Sequence, residues 1–547
     1  MGFAQIREIL DDAIGGPEAT IGVHGPFWRD VTRDEFVTAT VRGRPLLVVG
    51  AGAASNLVKS LKGGAPFGAD LPEPPAGASL NRMPSGLAPV SAESVAVIEA
   101  WIDDGCPDDM PAAPRIWRPT NAPVSSARTD DIWFADAREG WAVNSDGQVV
   151  HTTDGFATWE EQLHLPDVWL RCIGFASRTR GWVGTTTPND RLYETVDGGT
   201  TWTPVATLPP TAPSAICGLS VVDATTVYAS GTNYPNRPTR MMRTVDGVSW
   251  QGWEMSEHAD LLVDTYFTDA DHGWVVGGKA EVSNPTRADV RAVVLRTEDG
   301  GRTWVDRLAP IAAELPLGEW GWKIQFLDDR VGFVALENFD DAAILKTADG
   351  GQTWERIEVN DPQGNANLEG IGFLDETTGW VGGWGDRFFT GGFSSGTTDG
   401  GATWHDANEI GAFINRFRFV GDEPQIGYAS GLTVYRYAAE PLPEPPVPTV
   451  SAEPALKLLD DNAPARAEAP LHVAVTIPED ASRLVVDVWD RFGEHRRRLL
   501  EQNRPPSGRR DVEWDATDEH GAAVGGAIVL RVSVDGRSES QILHIDR

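Results

Sequence analysis

Six aspartates recur at nearly constant spacing: Asp154, Asp197, Asp246, Asp299, Asp349 and Asp399. Aspartate can serve as a general acid or base or ligate a cation, so a series of this kind raises the question of a reaction centre. Each, however, sits in one phrase, Thr-x-Asp-Gly-Gly-x-(Ser/Thr)-Trp, at 152–159, 195–202, 244–250, 297–304, 347–354 and 397–404. The third copy is one residue short, and the first carries Phe156 in place of the second glycine. A period of about fifty residues is the mark of stacked structural units, which places these carboxylates around a ring rather than at a point. Turn chemistry explains every position. The aspartate accepts amides of its own turn, glycine supplies positive φ, the hydroxyl braces, and the tryptophan buries a ring against its unit. The six aspartates are therefore expected to be structural. Cys106, Cys172 and Cys217 are too few and scattered for a disulfide framework or a zinc site and are expected as free, buried thiols. No residue set has metal-ligand spacing.

A second beat keeps the same time. Gly140-Trp141, Gly181-Trp182, Gly273-Trp274, Gly332-Phe333, Gly379-Trp380 and Gly427-Tyr428 each close a short apolar run, and Val227-Tyr228 fills the remaining slot. Seven beats against six turn phrases define seven units of four short strands, which are propeller blades. The seventh unit shows three strands, and residues 115–124 can supply the fourth, closing the ring without an open sheet edge. The expected fold is mainly β: a seven-bladed β-propeller over 113–438, preceded by a small helical domain over 1–112. A Pro-rich linker at 439–452 leads to an Ig-like β-sandwich over 453–547.

Three resemblances follow from these residues. The turn phrases resemble the Asp-boxes of the BNR family. With the Gly-Trp-Val-Gly runs at 181–184 and 379–382, the propeller resembles the photosystem II assembly-factor type, which implies a non-enzymatic helper of protein-complex assembly. The segment Arg82-Met83-Pro84, followed by an apolar helix over 91–104, resembles the second half of small c-type cytochrome domains. That resemblance implies His24 and Met83 as haem ligands, but both cysteines of the attachment motif are absent, so only non-covalent haem is open and no cofactor is the main expectation. The C-terminal run Val488-Trp489-Asp490-Arg491-Phe492-Gly493, with Trp514-Asp515, resembles the Ig-like module of flagellar hook-capping proteins and implies a spacing or docking role.

The net charge is −34, and most of it falls between the two flanking segments. Such a surface disfavours nucleic acid and anionic membrane and leaves protein partners, in a larger complex, as the expected class. No run of eighteen apolar residues spans a membrane, and the first residues lack the apolar core of a signal peptide. A cytoplasmic protein is expected, or an exported one if a leader has been removed. The loops locate function better than the motifs. Connections from second to third strands are long at 185–190, 232–240, 278–291 and 383–396, those between blades are long at 208–214, 252–260 and 308–320, and both kinds emerge opposite the Asp-boxes. They bring Trp169, Arg171, Arg240, Trp320, Trp322, Trp384, Arg387, Phe388 and Phe389 toward a partner- or ligand-binding face. Two alternatives remain open. Asp-box propellers include glycoside hydrolases, although the loop acids Asp190, Glu281 and Asp386 form no selected pair. The other is electron transfer through His24 and Met83.

Overall fold

The computed structural model describes residues 2–21, 24–109, 114–187, 189–386, 391–421, 425–443, 455–458 and 470–545, with backbone only at 455–458. Two compact units divide the chain, Met1–Ala113 and Pro114–Arg547. No helix among the described residues is long and apolar enough to cross a membrane.

The first unit is built on the helices Phe3–Asp12, Arg33–Thr38, Asn56–Lys62 and Ala92–Asp103. Local chemistry starts two of them. Thr32 and Glu35 form a reciprocal capping box, and the Ser91 hydroxyl accepts the Ser94 amide. Phe3, Ile6, Phe36, Trp101 and Ile102 meet in a continuous apolar core.

In the second unit seven four-stranded antiparallel sheets succeed one another around a ring. Blade 1 comprises Thr129–Phe134, Gly140–Asn144, Gln148–Thr152 and Glu160–His164. Blade 7 combines Arg416–Val420, Ile426–Ser430 and Val434–Ala438 with Ile116–Pro119, drawn from ahead of blade 1. The first strand of each blade packs beside the first strand of the next, and blade 7 returns to blade 1. The segment expected to close the ring does so, in the register Trp117 to Tyr437.

The two sequence beats are coupled by one repeated contact. In each Asp-box the first glycine donates its amide to a carbonyl of the preceding strand 1–2 turn, as Gly198 to Thr179 (2.9 Å), Gly300 to Asp271 (2.9 Å) and Gly400 to Thr377 (2.8 Å). Asp299 accepts the Thr303 amide (2.9 Å), the Thr303 hydroxyl (2.7 Å) and the Thr297 hydroxyl (2.9 Å), closing the turn on itself. The glycine of the Gly-aromatic beat answers a different constraint. A Cβ at Gly379 would lie 2.5 Å from the Phe373 ring, which stacks in that space. The tryptophans Trp304, Trp354 and Trp404 are buried as the phrase requires, but Trp159 in the first copy is exposed. There Phe156, which replaces the glycine, is fully buried and packs edge-on to Phe134.

The C-terminal segment forms a sandwich of a three-stranded sheet, in order 455–458, Leu471–Ile477, Gly508–Trp514, and a four-stranded one. The second runs His495–Asn503, Arg483–Asp490, Gly526–Val534, Arg537–Ile545. Val473, Val475, Val486, Leu530 and Trp514 share its core. The strand His495–Asn503 is legible only here, because its arginines obscure the alternation. Arg496, Arg497 and Arg498 pair with Asp490, Asp515 and Asp487.

Candidate functional site on the long-loop face

The site begins with a tight turn. Between the strands Arg483–Asp490 and His495–Asn503, Asp490 Oδ1 accepts the amides of Phe492 and Glu494, both at 2.9 Å. Gly493 has φ +87°, and a Cβ there would lie 2.9 Å from Trp169, so only glycine permits both the turn and its approach to the propeller. This bracing holds Arg491 and Phe492 outward at the tip, and the tip is inserted among the long loops of the propeller.

Three contacts seat the backbone and shoulders of the turn. Thr186 Oγ1 donates to the Gly493 carbonyl (2.6 Å). Tyr234 Oη donates to Asp490 (3.1 Å). Arg237 pairs with Glu494. Phe492 lies 6.0 Å from Trp322 and 6.4 Å from Tyr234, ring to ring, and the Arg287 guanidinium sits 3.3 Å over its face. Arg491 reaches the axis, pairing with Glu337 and lying 3.6 Å from Glu369, with all three side chains buried. Glu369 is also paired with Arg128 and accepts Trp384 Nε1 at 2.8 Å.

Magnitudes separate the roles of the two tip residues. Burying a phenylalanine contributes about 2–3 kcal/mol. A buried ion pair roughly cancels its own desolvation, so Arg491 supplies register more than affinity. Burial, together with the neighbouring Glu369 carboxylate, raises the Glu337 pKa to about 7 against the opposing pull of Arg491. Burial likewise lowers the Arg287 pKa to about 10. Arg287 forms no ion pair among the described residues; its fixed partner is the Asn233 carbonyl at 2.5 Å. Beyond the turn, the contact has an apolar patch, where Trp489 and Val529 pack on Ala127 and Trp169, and charge around it. Arg483 and Arg498 both reach Asp167 at 3.2 Å, and Arg531 lies 3.7 Å from Asp146 while its guanidinium sits over Trp169 and Trp489.

Beside the seated turn an open cleft of about 730 Å³ remains, walled by Tyr234, Arg237, Arg287 and Phe339 of the propeller and by Arg496 and His544 of the sandwich. That volume lies within the range of ligand and peptide sites.

The residues read from the sequence divide sharply by exposure. Trp169, Arg171, Trp320, Trp322 and Trp384 are fully buried. They converge on this face but form its floor: Trp169 donates to Asp130 (2.7 Å), Arg171 pairs with Asp130, and Trp322 donates to Asn415 (2.8 Å). Arg240 lies on a blade strand, Arg240–Thr244, and pairs with Glu254 at 2.8 Å. Arg387, Phe388 and Phe389 lie outside the described residues. Glu281 is highly exposed and Asp190 is exposed at the surface, while the Asp386 carbonyl accepts from Asn367 (2.9 Å). Sequence reasoning missed Glu337, Glu369, Arg287, Arg491 and Phe492. The available signal was a charged residue in the middle of an apolar inner strand, as Glu369 is within Ala366–Phe373.

All six Asp-box aspartates hold turns. Hydrogen bonds from Thr303 and Thr403 lower the Asp299 and Asp399 pKa values to about 2, and the amides of Ser249 and Val248 lower Asp246 in the shortened copy. The three thiols are free and buried. No cluster of three or more His, Cys, Asp or Glu suited to a metal occurs among the described residues. His24 Nδ1 donates to the Gly25 carbonyl (3.0 Å) and its ring packs 5.4 Å from Phe27, which stacks on Phe36 and meets Trp28 edge-on. Met83 packs, partly buried, on the same cluster.

Comparison with known proteins bears on the propeller. The family model described as photosynthesis system II assembly factor YCF48 matches residues 110–239 and 242–361. No curated protein matches the sequence. Among solved structures, YCF48 bound to D1 peptide is 19% identical, with a TM-score of 0.43, over 59% of this chain and 99% of its own. YCF48 from Cyanidioschyzon merolae is 16% identical, with a TM-score of 0.44, over 59% and 98%. The GH74 enzyme of Niastella koreensis is 11% identical, with a TM-score of 0.43, over 78% and 67%.

Proposed function

From the premise that the propeller of this chain is a BNR β-propeller of the photosystem II assembly-factor (YCF48) type, we propose that the protein is a non-enzymatic assembly or accessory factor that binds a partner protein through its long-loop face. The observation that carries this reading is the cleft of about 730 Å³ shared by the propeller loops and the sandwich. Its walls mix arginine with tyrosine and phenylalanine, the residue types that anchor protein interfaces. Among the described residues, the opposite face carries short, self-braced turns. The family's named role in assembly and the strongly acidic surface agree with a protein partner; a photosynthetic role is not part of the reading.

The hydrolase alternative is less well supported. Glu337 and Glu369, beneath the seated turn, are both sealed from solvent and engaged by arginines. Of the cleft's acids, Asp490 and Glu494 are committed to bracing the turn and to Arg496 and Arg237, which leaves Asp340 on its wall without a second acid to work with. Neither arrangement leaves two acids facing an open, sugar-sized gap.

Affinity capture from the native host with the full chain tests the proposal. A co-purifying protein is expected, and Arg237→Glu with Arg496→Glu should abolish it while an Asp-box-face charge reversal at Arg302 should not. Retention by the cleft variant, or capture of nothing by the wild type, would overturn the reading.

A further inference from the structure

The seated turn has the composition of a bound ligand. It presents two side chains, one cationic and one aromatic, to a preformed socket with a complementary element for each. Phe492 enters a space bounded by Trp322, Tyr234 and the Arg287 guanidinium. Arg491 reaches a pair of buried carboxylates, Glu337 and Glu369. The socket belongs wholly to the propeller, with Glu337 on Gly332–Asn338 and Glu369 on Ala366–Phe373. Arg128 and Trp384 hold Glu369 independently of the turn.

We propose that this axial socket is a recognition site for an arginine–aromatic turn, that Arg491-Phe492 is its resident occupant, and that a partner protein presenting the same pair on a tight turn competes for it. The proposal goes beyond the cleft reading, since a partner could occupy the cleft with the turn still in place.

Two features of the contact make exchange feasible. Outside the tip it combines one small apolar patch, Trp489 and Val529 on Ala127 and Trp169, with charge pairs: Arg483 and Arg498 with Asp167, Arg531 with Asp146, and Arg237 with Glu494. The partly exposed pairs at Asp167 and Glu494 contribute little each and weaken with salt, as in transient rather than obligate interfaces, while Arg531 and Asp146 are largely buried. The sandwich also follows a proline-rich stretch, Glu440-Pro-Leu-Pro-Glu-Pro-Pro, so the occupant is tethered. Tethering supplies an effective concentration in the millimolar range and masks the socket from any free ligand weaker than that.

The probe is a fluorescent cyclic peptide spanning residues 488–496, titrated against the full chain. Against wild type, competition from the tethered turn should hold apparent affinity about 100-fold below that of an emptied socket. Arg491→Ala/Phe492→Ala empties the socket by removing the tip. Gly493→Ala does so by a different route, since its Cβ would meet Trp169 and its φ is +87°. Both variants should bind the peptide; peptide carrying Arg491→Ala and Phe492→Ala should bind neither. Near-ultraviolet circular dichroism identifies which variants keep a folded propeller, and either one suffices. Absence of binding to a folded variant, or equal binding to wild type, would overturn the proposal. Because the probe is synthetic, its failure would leave partner capture through the cleft untouched, and the reverse also holds.

Discussion

On one face of the propeller, carboxylates stand at the surface and are satisfied by amides and hydroxyls of their own turns. On the other, carboxylates are buried at the axis and satisfied by arginines from distant strands and from another layer of the molecule. Asp299 takes its bonds from within four residues, whereas Glu369 is engaged by Arg128, Trp384 and Arg491. A local brace can be repeated blade by blade and still serve each copy. A buried charge must be matched by one particular partner, so that face cannot repeat, and non-repeating chemistry is where selectivity can arise.

Buried charge should be the costliest to disturb. Arg416 bonds Asp131 (2.9 Å) and Asp264 (2.8 and 2.9 Å) beneath the long-loop face. Arg416→Ala should lower unfolding free energy by about 3–5 kcal/mol in urea titration, because two carboxylates lose their partner in a dry setting. A loss under about 1 kcal/mol would remove the distinction between the faces. Next comes packing at the braced end. Gly379→Ala drives a Cβ to 2.5 Å from Phe373 and should cost about 1–3 kcal/mol by the same assay. Asp299→Ala removes four hydrogen bonds from a partly exposed turn and should cost about 1–2 kcal/mol, with no effect on partner capture.

The subtlest contrast is in pH dependence, where the faces should respond with opposite sign. Asp299 and Asp399 have folded pKa values near 2, below the ordinary 3.8, so their stabilisation is present above that value and lost as pH falls toward 2. Glu337 is raised to about 7 from 4.5, so the folded state takes up its proton first, and its contribution to stability grows as pH falls from 7 to 4.5. Melting temperature measured against pH should show the second limb in wild type and lose it in Glu337→Gln. An unchanged profile in that variant would mean the carboxylate is not held as the geometry indicates.

Much of the architecture was legible because it is local and repeated. The phrase around Asp299 contains its own hydrogen-bond partners, so residue type and spacing state the turn without reference to any other blade. Ring closure was also readable: a unit short of one strand must find it elsewhere in the chain, and residues 115–124 were the remaining candidate. Trp159 shows the limit even there, since the substitution at Phe156 transferred the buried position to another ring. The spacing brings Trp169, Trp320, Trp322 and Trp384 toward the long-loop face, and the structure buries all four as its floor.

By itself, then, the sequence determined the blade count, the braced face and the strand that closes the ring, because each depends on interactions a few residues long or on a repeat that must close. Only the tertiary structure decided what covers the other face. Arg491 and Glu369 lie more than a hundred residues apart, and nothing in either segment's periodicity refers to the other. Their meeting depends on a glycine at 493 that lets the turn approach Trp169 and on a socket assembled from separate blades. Contacts of that kind follow from the shape of a completed surface, which no local pattern encodes.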